Sequence, residues 1–253
     1  MVITSSQNAV FKSAMGLKDK KGRDETGLFL VEGKKQTAEI SAEWNIRHIF
    51  VSRSYEADSL PQIKTFILKD SLFAKLSSTK TPQGIIAVVE KKEYKTEKLL
   101  KNKGFFIVLE NIQDPGNLGT IIRSADAFGA KAVFVSKESA DIYSDKTIRS
   151  TMGSFFHIPV AAKTDIKELI AMLKENSVKI FSASLKAKKS IDKYDFFQKS
   201  AIFIGNEANG LSAETEKFSD FLFKIPMPGK AESLNAAIAA SITMYEFSKK
   251  YEM

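Results

Sequence analysis

The chain has 253 residues, of which 43% are hydrophobic and 27% charged, and its formal net charge is +8. This composition is that of an ordinary globular protein, and it excludes fibrous and intrinsically disordered classes. No cysteine is present, which excludes disulfides and metal sites built from thiolates.

The chain begins without an apolar stretch of signal-peptide length. Residues 1–90 then alternate short apolar runs with helix-like stretches, which predicts a small α/β or α+β domain. The predicted strands are LFLVEG, RHIFVS, TFIL and GIIAVV, and the predicted helices are KKQTAEISAE and DSLFAKLS. The polar, charged segment KKEYKTEKLLKNK, residues 91–103, predicts an interdomain linker that is partly helical.

The positive charge is unevenly distributed along the chain. Residues 1–103 carry a net charge of +7, whereas residues 104–253 carry only +1. A positive region attracts polyanions through counterion release, without specifying a sequence. Nucleic-acid binding and a solvated lysine-rich surface both fit this distribution.

Residues 104–253 alternate strands and helices more regularly, which predicts βα units and a mostly parallel sheet. We expect a last helix after residue 233, with Ser233 as its N-cap. No uncharged apolar run of about 18 residues occurs anywhere, so we expect no membrane contact and a cytoplasmic location. The predicted strands are FFIVLE, KAVFVS, VKIFSAS, AIFIGN and FLFKIP, and the other predicted helices span 117–128, 145–152, 165–176 and 212–218.

Three loops follow predicted strands and carry unusual residues, at 111–129, 205–212 and 225–235. Parallel α/β sheets bind ligands beyond the C-terminal ends of their strands. We therefore expect these loops to lie together, on adjacent strand ends, and to form one site.

The first loop contains the turn signal Asp-Pro-Gly-Asn at 114–117 and then a helix. Arg123 is predicted to project from near the start of this helix, where both the helix N-terminus and a guanidinium favour anions. A simple turn with a surface arginine is the alternative. The expected apolar stripe of this helix consists of Leu118, Ile121, Ile122, Ala125 and Phe128.

The other two loops are less specific when each is taken alone. Glu207 follows an apolar strand, where it could act as a general base or hydrogen-bond acceptor, or only cap the next helix. The third loop has two prolines, Pro226 and Pro228, which stiffen it and suit a preformed small-ligand pocket. A plain strand-to-helix corner is the alternative for this loop.

Several common signatures are absent from the sequence. There is no dinucleotide-binding glycine fingerprint, no phosphate-binding P-loop and no zinc pattern. The two histidines, His48 and His157, have no partner at a metal-like spacing, so we expect both to be structural and no metal to be bound. A hydrolase is disfavoured because no nucleophile-elbow context is present.

The segments N-x-x-D-P-x-N-x-G-x-x-x-R-x-A-x-x-F-G (111–129), I-G-N-E-x-x-G-L-S (204–212) and I-P-M-x-G-x-x-x-S-L-N (225–235) resemble the three ordered motifs of SpoU (TrmH-like) RNA ribose 2′-O-methyltransferases. The resemblance covers about residues 104–253. The N-terminal part, with N-x-x-x-K near its start and FLVEG at 29–33, resembles the ribosomal-protein-like RNA-binding domain of members that modify ribosomal RNA.

The resemblance implies a SPOUT α/β fold with a mostly parallel sheet, whose C-terminal segment threads into a deep trefoil knot. It also implies a homodimer formed through the C-terminal domain, S-adenosyl-L-methionine as cofactor, and structured RNA as partner. The organisation would be an RNA-binding domain at 1–90, a linker at 91–103 and a methyltransferase domain at 104–253. The implied cofactor-binding residues are Ala183, Gly205, Ile225, Met227 and Leu234, and the implied catalytic residues are Asn117, Arg123, Glu207, Ser233 and Asn235.

Two alternatives remain at the level of the sequence. One is a transfer RNA 2′-O-methyltransferase, and the other is a non-catalytic RNA-binding or ribosome-assembly factor on the same fold. The chain departs from many relatives at Ala237, where a small hydroxyl residue is common. This departure affects a packing or hydrogen-bond detail and removes no catalytic group.

Overall fold

The structure is a computed structural model that describes residues 1–55, 63–195, 197–206 and 208–251. The chain divides into two compact units. The first unit comprises Met1–Lys92 together with Tyr143–Phe156, and the second comprises Glu93–Ile142 together with His157–Met253. Residues 143–156 therefore pack with the N-terminal unit, although they lie within the C-terminal half of the sequence.

The first unit contains a mixed five-stranded sheet with the strand order β1-β4-β3-β5-β2. Strands β1, β4 and β3 pair in parallel, whereas β5 pairs antiparallel with both β3 and β2. The strands are β1 (Val2–Ile3), β2 (Leu28–Glu32), β3 (Ile46–Ser52), β4 (Thr65–Leu68) and β5 (Ile85–Glu90). The helices before β5 are α1 (Ala9–Gly16), α2 (Lys20–Thr26), α3 (Lys34–Ala38) and α4 (Asp70–Leu76).

The four strands predicted for residues 1–90 are all present, and the predicted α4 is confirmed. The helix predicted over KKQTAEISAE is wrong in its second half, because α3 ends at Ala38 and a turn follows. The short strand β1 and the helices α1 and α2 were not predicted. Strand β1 has two residues, α1 has eight, and α2 has no large apolar side chain, so these elements show little apolar periodicity.

Residues from both parts of the first unit build an aromatic cluster. The Phe29 ring lies 4.9 Å from that of Tyr143 and 6.0 Å from that of Phe155, measured between centroids. The Trp44 ring lies 5.6 Å from that of Phe155 and 5.2 Å from that of Phe156. All five side chains are buried, so segment 143–156 supplies part of the core of this unit.

The second unit contains a seven-stranded sheet with the strand order β10-β12-β9-β11-β6-β7-β8. Every pairing between these strands is parallel, which confirms the predicted sheet type. The strands are β6 (Gly104–Leu109), β7 (Val133–Ser136), β8 (Val160–Thr164), β9 (Lys179–Ala183), β10 (Lys189–Ser190), β11 (Lys199–Ile204) and β12 (Phe221–Lys224). The helices are α5 (Thr96–Leu99), α6 (Pro115–Ala127), α8 (Ile166–Glu175), α9 (Ala213–Phe218) and α10 (Ala236–Tyr251), while α7 (Asp145–Ser150) belongs to the first unit.

Strand order decides which loops meet at the C-terminal edge of this sheet. Strands β6 and β11 are neighbours, with Leu109 opposite Ile204, so the loops that follow them emerge side by side. Strand β12 is not adjacent to β11, because β9 lies between them. The expectation that all three loops follow adjacent strands was therefore wrong. The loop after β9 lies between the loops after β12 and β11 at this edge of the sheet.

Helix α6 begins earlier than predicted. Asp114 is its N-cap, and its Oδ1 accepts a hydrogen bond from the backbone N–H of Asn117 at 2.8 Å. Pro115 occupies the first helical position, where its missing N–H and fixed φ are favourable. The predicted apolar stripe is buried except for Phe128, which is the C-cap and is only partly buried.

The predicted N-cap of the last helix was also wrong. Helix α10 begins at Ala236, and the Oδ1 of Asn235 accepts hydrogen bonds from the N–H groups of Ala237 and Ile238. This is the usual geometry of an N-cap, in which the asparagine side chain accepts from the N–H groups two and three residues further along the chain. Among the helices that the structure describes, none is long and apolar enough to cross a membrane.

Candidate functional site

A cavity of about 390 Å³ lies at the C-terminal edge of the second sheet. Its walls come from the segments that follow β9, β11 and β12, together with the start of α10. All five residues expected to bind a cofactor line this one cavity: Ala183, Gly205, Ile225, Met227 and Leu234. Ser233, expected to be catalytic, also lines it.

The loop after β11 folds back tightly on itself. The backbone N–H of Asn206 donates to the carbonyl of Gly210 at 3.0 Å, and the N–H of Gly210 donates back at 2.9 Å. A Cβ at Gly205 would lie only 2.3 Å from the carbonyl carbon of Gly210 and 2.4 Å from the nitrogen of Leu211. Only glycine fits at position 205, so this wall of the cavity is bare backbone.

Asn206 organises this loop and joins it to the loop after β6. Its Oδ1 accepts hydrogen bonds from the N–H groups of Ala208 and Asn209, and its Nδ2 donates to the carbonyl of Asn111 at 2.9 Å. In the sequence, Asn206 stood only as a member of the motif I-G-N-E-x-x-G-L-S (204–212), with no role of its own. The sequence signal for this role is an asparagine placed directly after an apolar strand, because asparagine readily forms an Asx turn at such a position.

The first turn of α6 contacts the start of α10 through two asparagines. The Nδ2 of Asn235 donates to the Oδ1 of Asn117 at 3.1 Å. Two residues that were expected to be catalytic, from motifs far apart in the sequence, are thus in direct contact. Asn235 directly follows Leu234, which lines the cavity. Further along, the hydroxyls of Ser124 and Ser241 lie 2.8 Å apart and hold α6 against α10.

Arg123 projects into solvent from α6. It lies six residues after Asn117, roughly 9 Å further along the helix axis at 1.5 Å per residue. Within the part of the chain that the structure describes, its guanidinium has no hydrogen bond or ion pair, and it does not line the cavity. All five of its N–H donors therefore remain available to an anion. Glu207, the remaining expected catalytic residue, lies outside the described residues.

The loop after β9 carries a polar contact that the sequence did not indicate. The Oε1 of Glu216, on α9, accepts from the hydroxyl of Ser184 at 2.7 Å, and its Oε2 accepts from the Nζ of Lys186 at 2.9 Å. These two hydrogen bonds, that from Lys186 first, hold the pKa of the Glu216 carboxyl below its ordinary value. No motif or spacing in the sequence links these three positions.

The two histidines have packing and pairing roles. The His48 ring packs edge-on against those of Phe50 and Phe66, and the Nδ1 of His157 lies 3.0 Å from a carboxylate oxygen of Asp126. Among the described residues, no group of three or more His, Cys, Asp or Glu side chains is arranged to hold a metal ion.

Comparison with known proteins identifies both parts of the chain. The model of the SpoU rRNA methylase family matches residues 104–245, and that of the MRM3-like substrate binding domain matches residues 8–87. The 23S rRNA (guanosine(2553)-2′-O)-methyltransferase RlmP of Bacillus subtilis is 34% identical over 246 residues, covering 96% of this chain and 97% of its own.

A second relative, the 23S rRNA (uridine(2479)-2′-O)-methyltransferase of Streptomyces viridochromogenes, is 30% identical over 96% of this chain and 90% of its own. The crystal structure of an AdoMet-bound rRNA methyltransferase from Sinorhizobium meliloti superposes with a TM-score of 0.90 at 28% identity. It covers 100% of this chain and 98% of that one. These matches confirm the resemblance seen in the motifs: the chain belongs to the SpoU rRNA methylase family.

Proposed function

We propose that this protein transfers a methyl group from S-adenosyl-L-methionine to a ribose 2′-hydroxyl of ribosomal RNA, and specifically of 23S rRNA. One observation carries the proposal: two separate motifs line a single cavity, and the third is joined to its wall through the Asn117–Asn235 contact. The names of both full-length relatives, which specify 2′-O-methylation of 23S rRNA, support the choice of substrate.

The residues of the cavity fit the proposed cofactor. The volume of about 390 Å³ lies within the usual range for small-ligand sites. The bare backbone at Gly205 permits close approach of an adenine or ribose, while Ile225, Met227 and Leu234 offer apolar contact. When bound, the cofactor supplies an electrophilic methyl group on a sulfonium.

The work left to the protein is mainly to position the ribose and to stabilise charge. A guanidinium stays protonated in proteins, so Arg123 is not the base. Its free donors instead hold the phosphate of the target nucleotide and stabilise the developing 2′-alkoxide. The 2′-hydroxyl proton leaves to a phosphate oxygen or to water, and the Asn117–Asn235 pair keeps the two sides of the site in register.

We also propose the predicted domain roles, with 1–90 binding RNA, 91–103 as linker and 104–253 carrying the reaction. The substrate-binding match over residues 8–87 and the positive charge of the N-terminal part support the first role. Structured RNA would be recognised by shape and phosphate contacts. The cytoplasmic location stays a prediction.

The homodimer and the trefoil knot belong to the same proposal. Ile238 and Tyr245, seven residues apart on α10, are 53% and 50% exposed and lie on one face, which suits a second copy of the chain. For the knot, the supporting feature is that β12, the last strand in the chain, lies inside the sheet between β10 and β9. Helix α10, which follows it, packs against α6.

The test is methyl transfer with purified protein, tritiated S-adenosyl-L-methionine, and ribosomal RNA from cells that lack the protein. We expect one ribose to be labelled in 23S rRNA and none in RNA from cells that contain the protein. Mapping the 2′-O-methyl group identifies the nucleotide. Labelling of transfer RNA alone would reassign the substrate, and no labelling together with no cofactor binding would overturn the proposal.

A further inference from the structure

One carboxylate ties the loop after β9 to helix α9. Glu216 accepts hydrogen bonds from the hydroxyl of Ser184 at 2.7 Å and from the Nζ of Lys186 at 2.9 Å. Ser184 is itself fixed at two further points, because its N–H donates to the carbonyl of Phe223 and its hydroxyl accepts from the N–H of Lys186. The loop is therefore held on one side by β12 and on the other by Glu216.

The two hydrogen bonds to Glu216 differ in expected strength. The Lys186 side chain is 79% exposed, and an exposed ion pair contributes little because solvent screens it. The Glu216 side chain is only 17% exposed, and its short bond from the half-buried Ser184 hydroxyl is charge-assisted. Of the two contacts with Glu216, the bond from Ser184 therefore restrains the loop more strongly.

Both ends of this contact line the cavity assigned to the cofactor. Ala183, Ser184, Leu185 and Lys186 form one wall, and Glu216 lies in the same lining. Leu185 is 67% exposed, so its side chain does not hold this wall in place by apolar packing. The hydrogen bonds of Ser184 to Phe223 and Glu216 hold it instead.

We infer that Glu216 is a positioning residue for the methyl donor, which fixes the loop at 184–186 as a preformed wall of the cavity. The inference rests on the proposed function, and it concerns binding of the cofactor rather than the chemical step. Ordering a loop in advance removes that ordering free energy from the binding step. Loss of the anchor should therefore weaken cofactor binding and leave the RNA side of the site unchanged.

Supporting evidence comes from the ionisation of this group. The hydrogen bonds from Lys186 and Ser184 lower the pKa of the Glu216 carboxyl, so it is a charged acceptor at neutral pH. A glutamine in its place could still accept from Ser184 through its amide oxygen, but it would lose the ion pair. An alanine would lose both contacts.

The experiment measures S-adenosyl-L-methionine binding by calorimetry in the full-length wild type and four variants, together with kcat and the KM for each substrate. We expect Glu216→Ala and Ser184→Ala to bind the cofactor about tenfold more weakly, and Glu216→Gln about threefold. The KM for the cofactor should rise in parallel, while kcat and the KM for RNA stay unchanged. The matched control is Glu214→Gln, the same chemical change two residues away on α9, at an exposed position that does not line the cavity.

The outcomes separate this inference from the proposed function. If the wild type fails to bind the cofactor, the proposed function is wrong. If the wild type binds the cofactor, and Ser184→Ala and Glu216→Ala both bind it as tightly as the wild type does, only the role of Glu216 is wrong. Thermal unfolding reports whether Glu216→Ala folds, and if it does not, Ser184→Ala decides, since it removes one hydroxyl and leaves the helix intact.

Discussion

The side-chain amide of Asn235 donates to the side-chain oxygen of Asn117 at 3.1 Å, across 118 positions of sequence. Asn235 has a second duty, because its Oδ1 caps helix α10 by accepting from the N–H groups of Ala237 and Ile238. One amide therefore joins two motifs with its nitrogen and starts a helix with its oxygen. The two duties can be separated by mutation.

Asn235→Asp keeps an oxygen acceptor for the helix cap but removes the donor to Asn117. We expect its thermal stability to match the wild type and its methyl-transfer rate to fall, because the two loops lose their register. Asn235→Ala removes the cap as well and should lose about 1 kcal/mol of stability. Wild-type activity in Asn235→Asp would show that the contact with Asn117 is dispensable.

Arg123 offers its donors to solvent without any partner among the described residues. Arg123→Ala should slow methyl transfer about 100- to 1000-fold, the usual loss when a charge-stabilising donor is removed. Cofactor affinity should not change, because the residue does not line the cavity. Arg123→Lys keeps the charge but loses the planar fork, so it should recover only part of the rate. Weaker cofactor binding in Arg123→Ala, measured by calorimetry, would reassign the residue to the cofactor site.

Gly205 is the tightest point of the cavity wall. In Gly205→Ala the new Cβ would overlap the backbone of Gly210 and Leu211, which no side-chain rotation can relieve. We expect a loss of about 1–3 kcal/mol of stability from overpacking and a drop of at least about tenfold in cofactor affinity. Gly229→Ala is the matched control, because nothing lies within 4 Å of its Cβ. Equal behaviour of the two variants, in unfolding and calorimetry, would contradict the assignment of the wall.

The sequence predicted the parallel sheet and the convergence of its loops, since strand periodicity and turn residues are local signals. It could not predict strand order, so the position of β9 between β12 and β11 was missed, and with it the Glu216 contact. The same limit explains why the N-cap of the last helix was predicted wrongly. Ser233 carries a hydroxyl that could cap the helix, but Asn235 makes the cap. Which of two suitable residues caps a helix depends on where tertiary packing starts that helix.

The packing of segment 143–156 in the first unit could not be predicted from the sequence either, because its aromatic residues are far in sequence from their partners. The contact is testable through Trp44, the single tryptophan of the chain, whose ring lies 5.6 Å from that of Phe155. Phe155→Ala should cost about 3–5 kcal/mol and shift the Trp44 emission to longer wavelength as water approaches the ring. The control is Phe197→Ala, a partly exposed phenylalanine of the second unit, which should leave the emission unchanged.

His48 should make the stability of the protein depend on pH. Burial, the charge of Lys64 and then that of Arg47 lower the pKa of its imidazole below the ordinary value of 6.5. The folded state thus binds the proton more weakly than the unfolded state. The associated stability is present above pH 6.5 and is lost as the pH falls from there through the folded-state pKa.

The measurement is urea unfolding of the wild type and His48→Phe at several values between about pH 7.5 and 5.5, a range in which carboxylates titrate little. The wild type should lose more free energy of unfolding across this range than His48→Phe, whose ring fits between Phe50 and Phe66 and does not titrate. His157→Gln, which alters the other histidine and its contact with Asp126, should keep the pH dependence due to His48. Because only two histidines are present, equal slopes in the wild type and His48→Phe would mean that His48 is solvated like a free imidazole.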